Sequence, residues 1–215
     1  MTLELTVFYI IVLVFSIILH EVSHGYAADM LGDPTARLQG RLTLNPVPHI
    51  DVFGSLLMPA MLVLSQSPIM FGYAKPVPYN PYNLRNQRWG EAIVAGAGPL
   101  TNIALAIFFG LGIRFAGELG LPLVTVQLLI IITHVNILLA LFNMIPIPPL
   151  DGSKVLSAVL PYRGQLAMRR FEEMFMQYAL VGFVLFIALF YTVLSGPLAL
   201  FINLVFILIT GSSLY

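Results

Sequence analysis

Long apolar stretches constrain this chain most, because they require a solvent less polar than water. They lie at about 5–19, 53–64, 92–113, 121–145, 175–194 and 197–209. Of the 215 residues, 59% are hydrophobic and 9% are charged, whereas roughly a quarter of the residues in soluble domains are charged. The sequence therefore predicts an all-α integral membrane protein that crosses the lipid bilayer several times.

The second apolar stretch is too short to cross a bilayer, which takes roughly 20 helical residues. It contains Pro59 and is followed by "SQSP" (65–68), so segment 53–70 is predicted to enter the membrane and return on the same side. Lysine and arginine favour the cytoplasmic side of a membrane. A re-entrant segment places nine of the ten basic residues on that side and leaves only Arg114 outside.

The expected architecture is a single domain over residues 1–215, with five transmembrane helices and one re-entrant segment. The N-terminus is expected outside and the C-terminus on the cytoplasmic side. The segment "ARLQGRLTLN" (36–45) is expected to form a short strand at the inner face. The first apolar stretch lacks a preceding basic region, so it is interpreted as a retained span and not as a signal peptide.

Titratable residues interrupt the first apolar stretch at "HEVSH" (20–24). On a helix, His20 and His24 are one turn apart on the same face, so both imidazoles can bind one zinc ion. Glu21 lies beside them, where a carboxylate can take a proton from the attacking water and pass it to the leaving amine. The motif predicts zinc-dependent hydrolysis of peptide bonds. The alternative is a structural polar cluster that joins helices.

A third metal ligand is expected, because catalytic zinc sites usually have three protein ligands. The chain has no cysteine, so this ligand must be a histidine or a carboxylate. In "FNMIPIPPLDG" (142–152), prolines end a helix and deliver Asp151 just before a glycine, so Asp151 is the predicted ligand. His49 and Asp51 are an alternative pair, but they lie in a proline-rich loop with no helix to fix their spacing.

Five segments spread over most of the chain carry a resemblance to a known family. They are "HEVSH" (20–24), "GRLTLNPVPHIDVFGSLLMP" (40–59), "FGYAKPVP" (71–78), "AGAGPLTN" (95–102) and "NMIPIPPLDG" (143–152). In these segments the chain resembles the site-2 proteases, which are intramembrane zinc metalloproteases. The expected form is a compact one, without a PDZ domain or a nucleotide-binding domain.

The resemblance implies one zinc ion held by His20, His24 and Asp151, with Glu21 as the catalytic base. It implies cleavage of transmembrane protein substrates near the cytoplasmic face, in a multi-pass protein of the cell membrane. Asn102 resembles a family position that holds the substrate or its oxyanion. Ordinary hydrogen bonding between helices is the alternative role for this amide.

Asn143 resembles a second family position for the substrate or oxyanion. An unwound substrate is expected to add as a strand to the edge at 38–44, while Asn143 holds the scissile carbonyl. A metal transporter or an inactive membrane scaffold is the alternative function. Glu21 argues against a transporter, which needs no carboxylate beside its ligand pair, and no motif indicates a nucleic-acid partner.

Overall fold

The computed structural model of the protein describes residues 2–57, 61, 64 and 74–212. The α-helices of this part of the chain are α1 (Leu3–Met30), α2 (Thr35–Leu38), α3 (Gly90–Arg114), α4 (Leu123–Asn143), α5 (Asp151–Val159), α6 (Tyr162–Gln177), α7 (Ala179–Leu189) and α8 (Ser195–Thr210). Short 3-10 helices lie at Val47–His49 and Pro81–Asn83, and π-helical turns lie at Val52–Leu57 and Phe190–Leu194. The described part of the chain contains no strand, which confirms the predicted all-α class.

Four helical stretches among the described residues are long and apolar enough to cross a membrane, whereas five were predicted. They are Leu3–Met30, Gly90–Arg114, Leu123–Asn143 and Val181–Thr210. The two predicted C-terminal spans, 175–194 and 197–209, share one continuous helix, because the π-helical turn joins α7 directly to α8. Pro197, near the start of α8, does not interrupt this continuous helix.

Contacts between polar side chains show that α1 and α3 are antiparallel. His24, near the end of α1, contacts the carbonyl of Val94 near the start of α3. Asn102, two turns further along α3, contacts the carbonyl of Ser16, two turns earlier on α1. The start of α1 therefore lies at the same end of the bundle as the end of α3.

Arg114 shows where the last helix ends. Its Nη1 atom donates to the carbonyl oxygens of Leu208, at 3.2 Å, and Ile209, at 3.4 Å. Helices α3 and α8 are therefore parallel, and both end at the end of the bundle where α1 begins. In this arrangement residues 175–194 and 197–209 belong to one helix and not to two separate spans. The side of the membrane on which the C-terminus lies stays a prediction.

Most of segment 53–70, predicted to be re-entrant, lies outside the described residues. One hydrogen bond joins the chain before this segment to the chain after it. The backbone N–H of Arg85 donates to the carbonyl of Leu31 at 2.9 Å. By Arg85 the chain has therefore returned to the end of the bundle that it left at Leu31. Re-entry into the membrane stays a prediction.

The strand predicted over 36–45 is wrong. Thr35–Leu38 forms α2, and the N–H of Arg41 then donates to the carbonyl of Ala36 at 2.9 Å, closing a turn in which Gly40 has a φ of +65°. The leucine at position 42 packs against α1 and does not belong to an alternating strand face. The strand edge at 38–44 to which a substrate was expected to add is therefore not present in this structure, and the place where a substrate binds stays a prediction.

Asp33 fastens the loop before α3 to the end of α1. It is fully buried, and its Oδ1 atom accepts hydrogen bonds from the N–H and hydroxyl of Thr35 and from the amide of Asn83, at 2.8 Å. Its Oδ2 atom accepts from the backbone N–H of Asn80 at 2.6 Å. Burial alone raises the pKa of a carboxyl, but these donors hold the pKa of Asp33 below its ordinary value.

We expect Asp33→Asn to lower the unfolding temperature in detergent, through a loss of about 3 kcal/mol, because the amide turns N–H groups toward donors. Since the pKa of Asp33 is lowered on folding, its contribution is present above the ordinary value of 3.8 and is lost as the pH falls through the folded value. Asp29→Asn is the control, because Asp29 pairs with the largely exposed Arg37. Equal effects of the two changes contradict the role of Asp33.

The direction of α8 is tested by single cysteines, since the chain has none of its own. Glu118→Cys and Ser212→Cys are expected to react with an impermeant thiol reagent from one side of the membrane, and Arg88→Cys from the other. If Ser212→Cys and Arg88→Cys are labelled from the same side of the membrane, the chain makes a fifth crossing. That result contradicts a continuous last helix.

Candidate active site

The two histidines of α1 lie on the helix face that packs against α3, and both are buried. The Nε2 atom of His20 is 3.1 Å from Oδ2 of Asp151, and the Nε2 atom of His24 is 3.3 Å from the same oxygen. Residues far apart in the sequence thus meet at one carboxylate oxygen. The structure brings together the three side chains that sequence analysis predicted as metal ligands.

The partners of the two Nδ1 atoms determine what the Nε2 atoms of His20 and His24 present to the carboxylate of Asp151. Nδ1 of His24 is 2.7 Å from the carbonyl oxygen of Val94, which can only accept, so this nitrogen carries the hydrogen. Nδ1 of His20 is 2.6 Å from Oδ1 of Asn102 and donates to it. In the neutral imidazoles, both Nε2 atoms therefore present lone pairs toward the carboxylate of Asp151. Three electron-pair donors around one point repel one another unless a cation or additional protons lie between them.

Asp151 reaches the histidines because α5 begins very close to the end of α4. A Cβ atom on Gly152 would overlap the backbone of Met144 and Ile145, so only glycine permits this approach. Ser153 then closes the first turn, since its hydroxyl donates to the carbonyl of Leu150 at 2.7 Å.

Gly98 permits α3 to pass directly behind the imidazoles. A Cβ atom at this position would lie 2.6 Å from Nε2 of His20 and 2.6 Å from Cε1 of His24. Both distances are far shorter than any van der Waals contact. The absence of a side chain at Gly98 is therefore required by the position of the two rings.

Glu21 is half-buried beside the histidines, and single ligand atoms of His20, Glu21 and His24 lie within 4.8 Å of one another. Its Oε2 atom accepts a hydrogen bond of 2.9 Å from the backbone N–H of Val77. Val77 is itself buried, and its side chain packs close to Gly25 on the next turn of α1. Glu21 is thus held by a different part of the chain from Asn102 and Val94, the partners of the two Nδ1 atoms.

The segment that carries Val77 is tied down by Arg41. Its Nη2 atom donates to the carbonyls of Lys75, at 2.8 Å, and Pro76, at 3.2 Å. Sequence analysis predicted no contact between this segment and Glu21. A backbone amide leaves no signature in side-chain chemistry, so no sequence signal could have identified this donor.

Lys154 is a further charged residue at the site that sequence analysis did not identify. It lies one turn after Asp151 on α5, and its Nζ atom is 5.2 Å from the centre of the Tyr79 ring. Burial lowers the pKa of a lysine, but Tyr79, Asp151 and Glu172 together raise the pKa of Lys154. The spacing of three residues from Asp151 on a helix was the available signal.

The two asparagines predicted to hold the substrate or oxyanion lie in different surroundings. Asn102 is fully buried, and its amide bonds to His20, Ser16 and Asn136, so its contacts favour a role in orienting His20. Asn143 ends α4, and its amide nitrogen donates to the carbonyl of Leu139 at 2.9 Å. None of its hydrogen bonds in the described structure reaches the histidines or Asp151.

His49 and Asp51, the alternative pair of metal ligands, form hydrogen bonds with residues of their own loop. His49 donates to the carbonyl of Thr43 at 2.9 Å, and Asp51 accepts the backbone N–H of Gly54 at 2.7 Å. These contacts shape the turn and do not bring the two side chains to the cluster on α1.

Comparisons with known proteins give one family and several relatives. The model of peptidase family M50 matches residues 121–189, which include Asp151. "Putative zinc metalloprotease YwhC" of Bacillus subtilis (strain 168) is 35% identical over 204 residues, covering 90% of this chain and 84% of that protein. No solved structure gives a significant match.

Two further relatives carry the same description. Rip2 of Mycolicibacterium smegmatis is 28% identical over 153 residues, which is 71% of this chain and 57% of that protein. MJ0611 of Methanocaldococcus jannaschii is 52% identical over 64 residues, which is 29% of this chain and 31% of that protein. From the match of its α4–α7 region and its identity to a relative over most of both lengths, the chain belongs to peptidase family M50, the site-2 protease family of metalloproteases.

Proposed function

We propose that this metalloprotease uses zinc to hydrolyse peptide bonds of membrane-embedded protein substrates near the cytoplasmic face of the cell membrane. The observation that carries the proposal is the meeting of His20, His24 and Asp151 beside Glu21, between helices long enough to cross a bilayer. The names of the relatives, which describe zinc metalloproteases, support the choice of metal.

The donor set suits zinc. Two imidazole nitrogens and one carboxylate, without a thiolate, are a common ligand set of catalytic zinc in proteases. His20 and His24 would bind through Nε2, and Asp151 through a carboxylate oxygen. When bound, zinc supplies a Lewis acid that makes water acidic near neutral pH and polarises a carbonyl group.

Glu21 has the position and chemistry of the general base. Its Oε2 atom is held by the N–H of Val77, so the carboxylate is oriented while its other oxygen can accept a proton. In hydrolysis it takes one proton from the attacking water and passes it to the amine nitrogen as the C–N bond breaks. The products are a carboxylate and an amine, and Glu21 is ionised again.

Asn143 is our proposed donor to the scissile carbonyl. It lies at the end of α4, immediately before the loop that delivers Asp151. Its present hydrogen bond to Leu139 is within its own helix, so the amide can exchange this partner for a substrate by a side-chain rotation. A preorganised amide donor contributes most when negative charge develops on the carbonyl oxygen.

The position near the cytoplasmic face follows from basic residues at the same end of the bundle. The His/Asp site lies toward the end of α1, and Arg85 is bonded to Leu31 just beyond that end. Lys75 lies in the segment that reaches Glu21, and Lys154 follows Asp151 on α5. Positive residues accumulate on the cytoplasmic side of membrane proteins, so this end is assigned to the cytoplasm.

We expect Glu21→Gln to keep its zinc but to lose cleavage by at least about 100-fold, because the amide cannot accept a proton. Zinc content of the purified protein and cleavage of a model transmembrane peptide in detergent are the two measurements. Glu118→Gln, in the loop between α3 and α4, is the control and should retain both. His20→Ala and His24→Ala should lose zinc and cleavage together. Substantial cleavage by Glu21→Gln contradicts the assignment of the base.

Gly98→Ala should weaken zinc binding by about 10-fold or more, because the added methyl group displaces one or both imidazoles. Gly96→Ala is a matched control on the same helix, since a Cβ atom there meets nothing within 4 Å. The dissociation constant for zinc, measured by competition with a chelator, separates the two variants. Indistinguishable constants would show that the close approach at Gly98 is not needed for the metal.

A further inference from the structure

A series of hydrogen bonds extends from His20 through Asn102 to Asn136, a residue in the middle of the bundle that sequence analysis left unassigned. Asn136 on α4 accepts from the amide of Asn102 at 2.8 Å, and Asn102 in turn contacts Nδ1 of His20 at 2.6 Å. Asn102 is completely buried, and Asn136 is 1% exposed. Two carboxamides in the apolar interior of a membrane protein are costly unless each is paired, as both are here.

A backbone carbonyl determines which atom donates in each of these hydrogen bonds. The amide nitrogen of Asn136 donates to the carbonyl of Ile132 at 2.9 Å, and a carbonyl oxygen can only accept. Its Oδ1 atom must therefore be the end that faces Asn102, whose nitrogen donates to it. The Oδ1 atom of Asn102 then faces His20 and accepts the hydrogen of Nδ1. The orientation of a carbonyl on α4 is thus transmitted to a ring on α1.

The Ser16 contacts are weaker constraints on the same series of hydrogen bonds. The amide nitrogen of Asn102 is 3.4 Å from the carbonyl of Ser16, at the edge of hydrogen-bonding distance. The hydroxyl of Ser16 receives a second bond, of 3.1 Å, from the amide nitrogen of Asn136. Asn136 is therefore the main partner that keeps the nitrogen of Asn102 away from His20.

A reversed amide at Asn102 would place an NH₂ group against Nδ1 of His20. That arrangement favours the imidazole with its hydrogen on Nε2, the nitrogen that faces Asp151 and His24. An N–H group at this position cannot bind a metal ion. The correct amide orientation of Asn102 is consequently a condition for metal binding at His20.

We propose that Asn136 is a positioning residue for the metal site, which acts through Asn102 to hold His20 in the metal-binding tautomer. The inference rests on the proposed function in requiring that the His/Asp site binds zinc. It adds a residue on a helix that supplies no ligand, and it explains why a carboxamide is buried at the centre of α4.

Asn136→Leu in the full-length protein tests this role, with Thr133→Val as a matched control. Thr133 lies one turn earlier on α4 and is equally buried, but its hydroxyl has no hydrogen-bond partner among the described residues. We expect Asn136→Leu to raise the zinc dissociation constant by about 10-fold to 100-fold, measured by chelator competition in detergent. Thr133→Val should leave it unchanged. The visible spectrum of bound Co²⁺ should shift only for Asn136→Leu.

A double-mutant cycle shows whether Asn136 acts through Asn102. If it does, Asn102→Leu combined with Asn136→Leu should lose no more zinc affinity than Asn102→Leu alone, because the path is already broken. If the fold-losses of zinc affinity in the two single variants multiply in the double variant, the two residues act independently. That result would overturn the inference. So would an Asn136→Leu protein that unfolds at a lower temperature without zinc yet binds zinc as Thr133→Val does.

The measured quantity is zinc affinity and not cleavage, so this test separates the inference from the proposed function. A wild-type protein that binds zinc but cleaves no peptide contradicts the protease assignment and still decides the role of Asn136. A wild-type protein that binds no zinc overturns both.

Discussion

The rest of the structure depends on one constraint, which is that three electron-pair donors lie close together. They belong to His20, His24 and Asp151. Each donor must leave water and be fixed by partners before a cation can compensate their mutual repulsion. Val94 supplies a carbonyl for one imidazole, and Asn102 supplies an amide for the other. The packing of α1 on α3 is therefore decided by side-chain polarity as much as by apolar area.

Glycine makes this packing sterically possible at two positions. Gly98 lets α3 pass behind the rings, and Gly152 lets α5 start against the backbone at the end of α4. In a bilayer, association between helices gains little from the hydrophobic effect, because lipid is as apolar as the side chains. Close contact and hydrogen bonds must then replace it. The metal site and the helix interface consequently depend on the same few small residues.

Sequence reasoning identified what local patterns encode. The spacing of His20 and His24 follows from helix geometry alone, and Asp151 follows from prolines before a glycine. It failed at the turn after α2, where the ragged apolar pattern suggested a strand but the side chain of Leu42 packs against α1. It also divided the last helix into two spans, whereas the π-helical turn at Phe190–Leu194 joins α7 directly to α8.

In the HEVSH motif the two histidines and Glu21 are neighbours in the sequence, but different parts of the structure hold them. Glu21 is held by its hydrogen bond from Val77. The imidazoles are fixed by α3, whereas the neighbouring carboxylate is fixed by an extended segment from outside the bundle. A disturbance of that segment alone would change the orientation of the proposed base and leave the proposed ligands in place. A fully metallated but idle enzyme is thus a state that this architecture permits, and metal occupancy alone does not measure competence for catalysis.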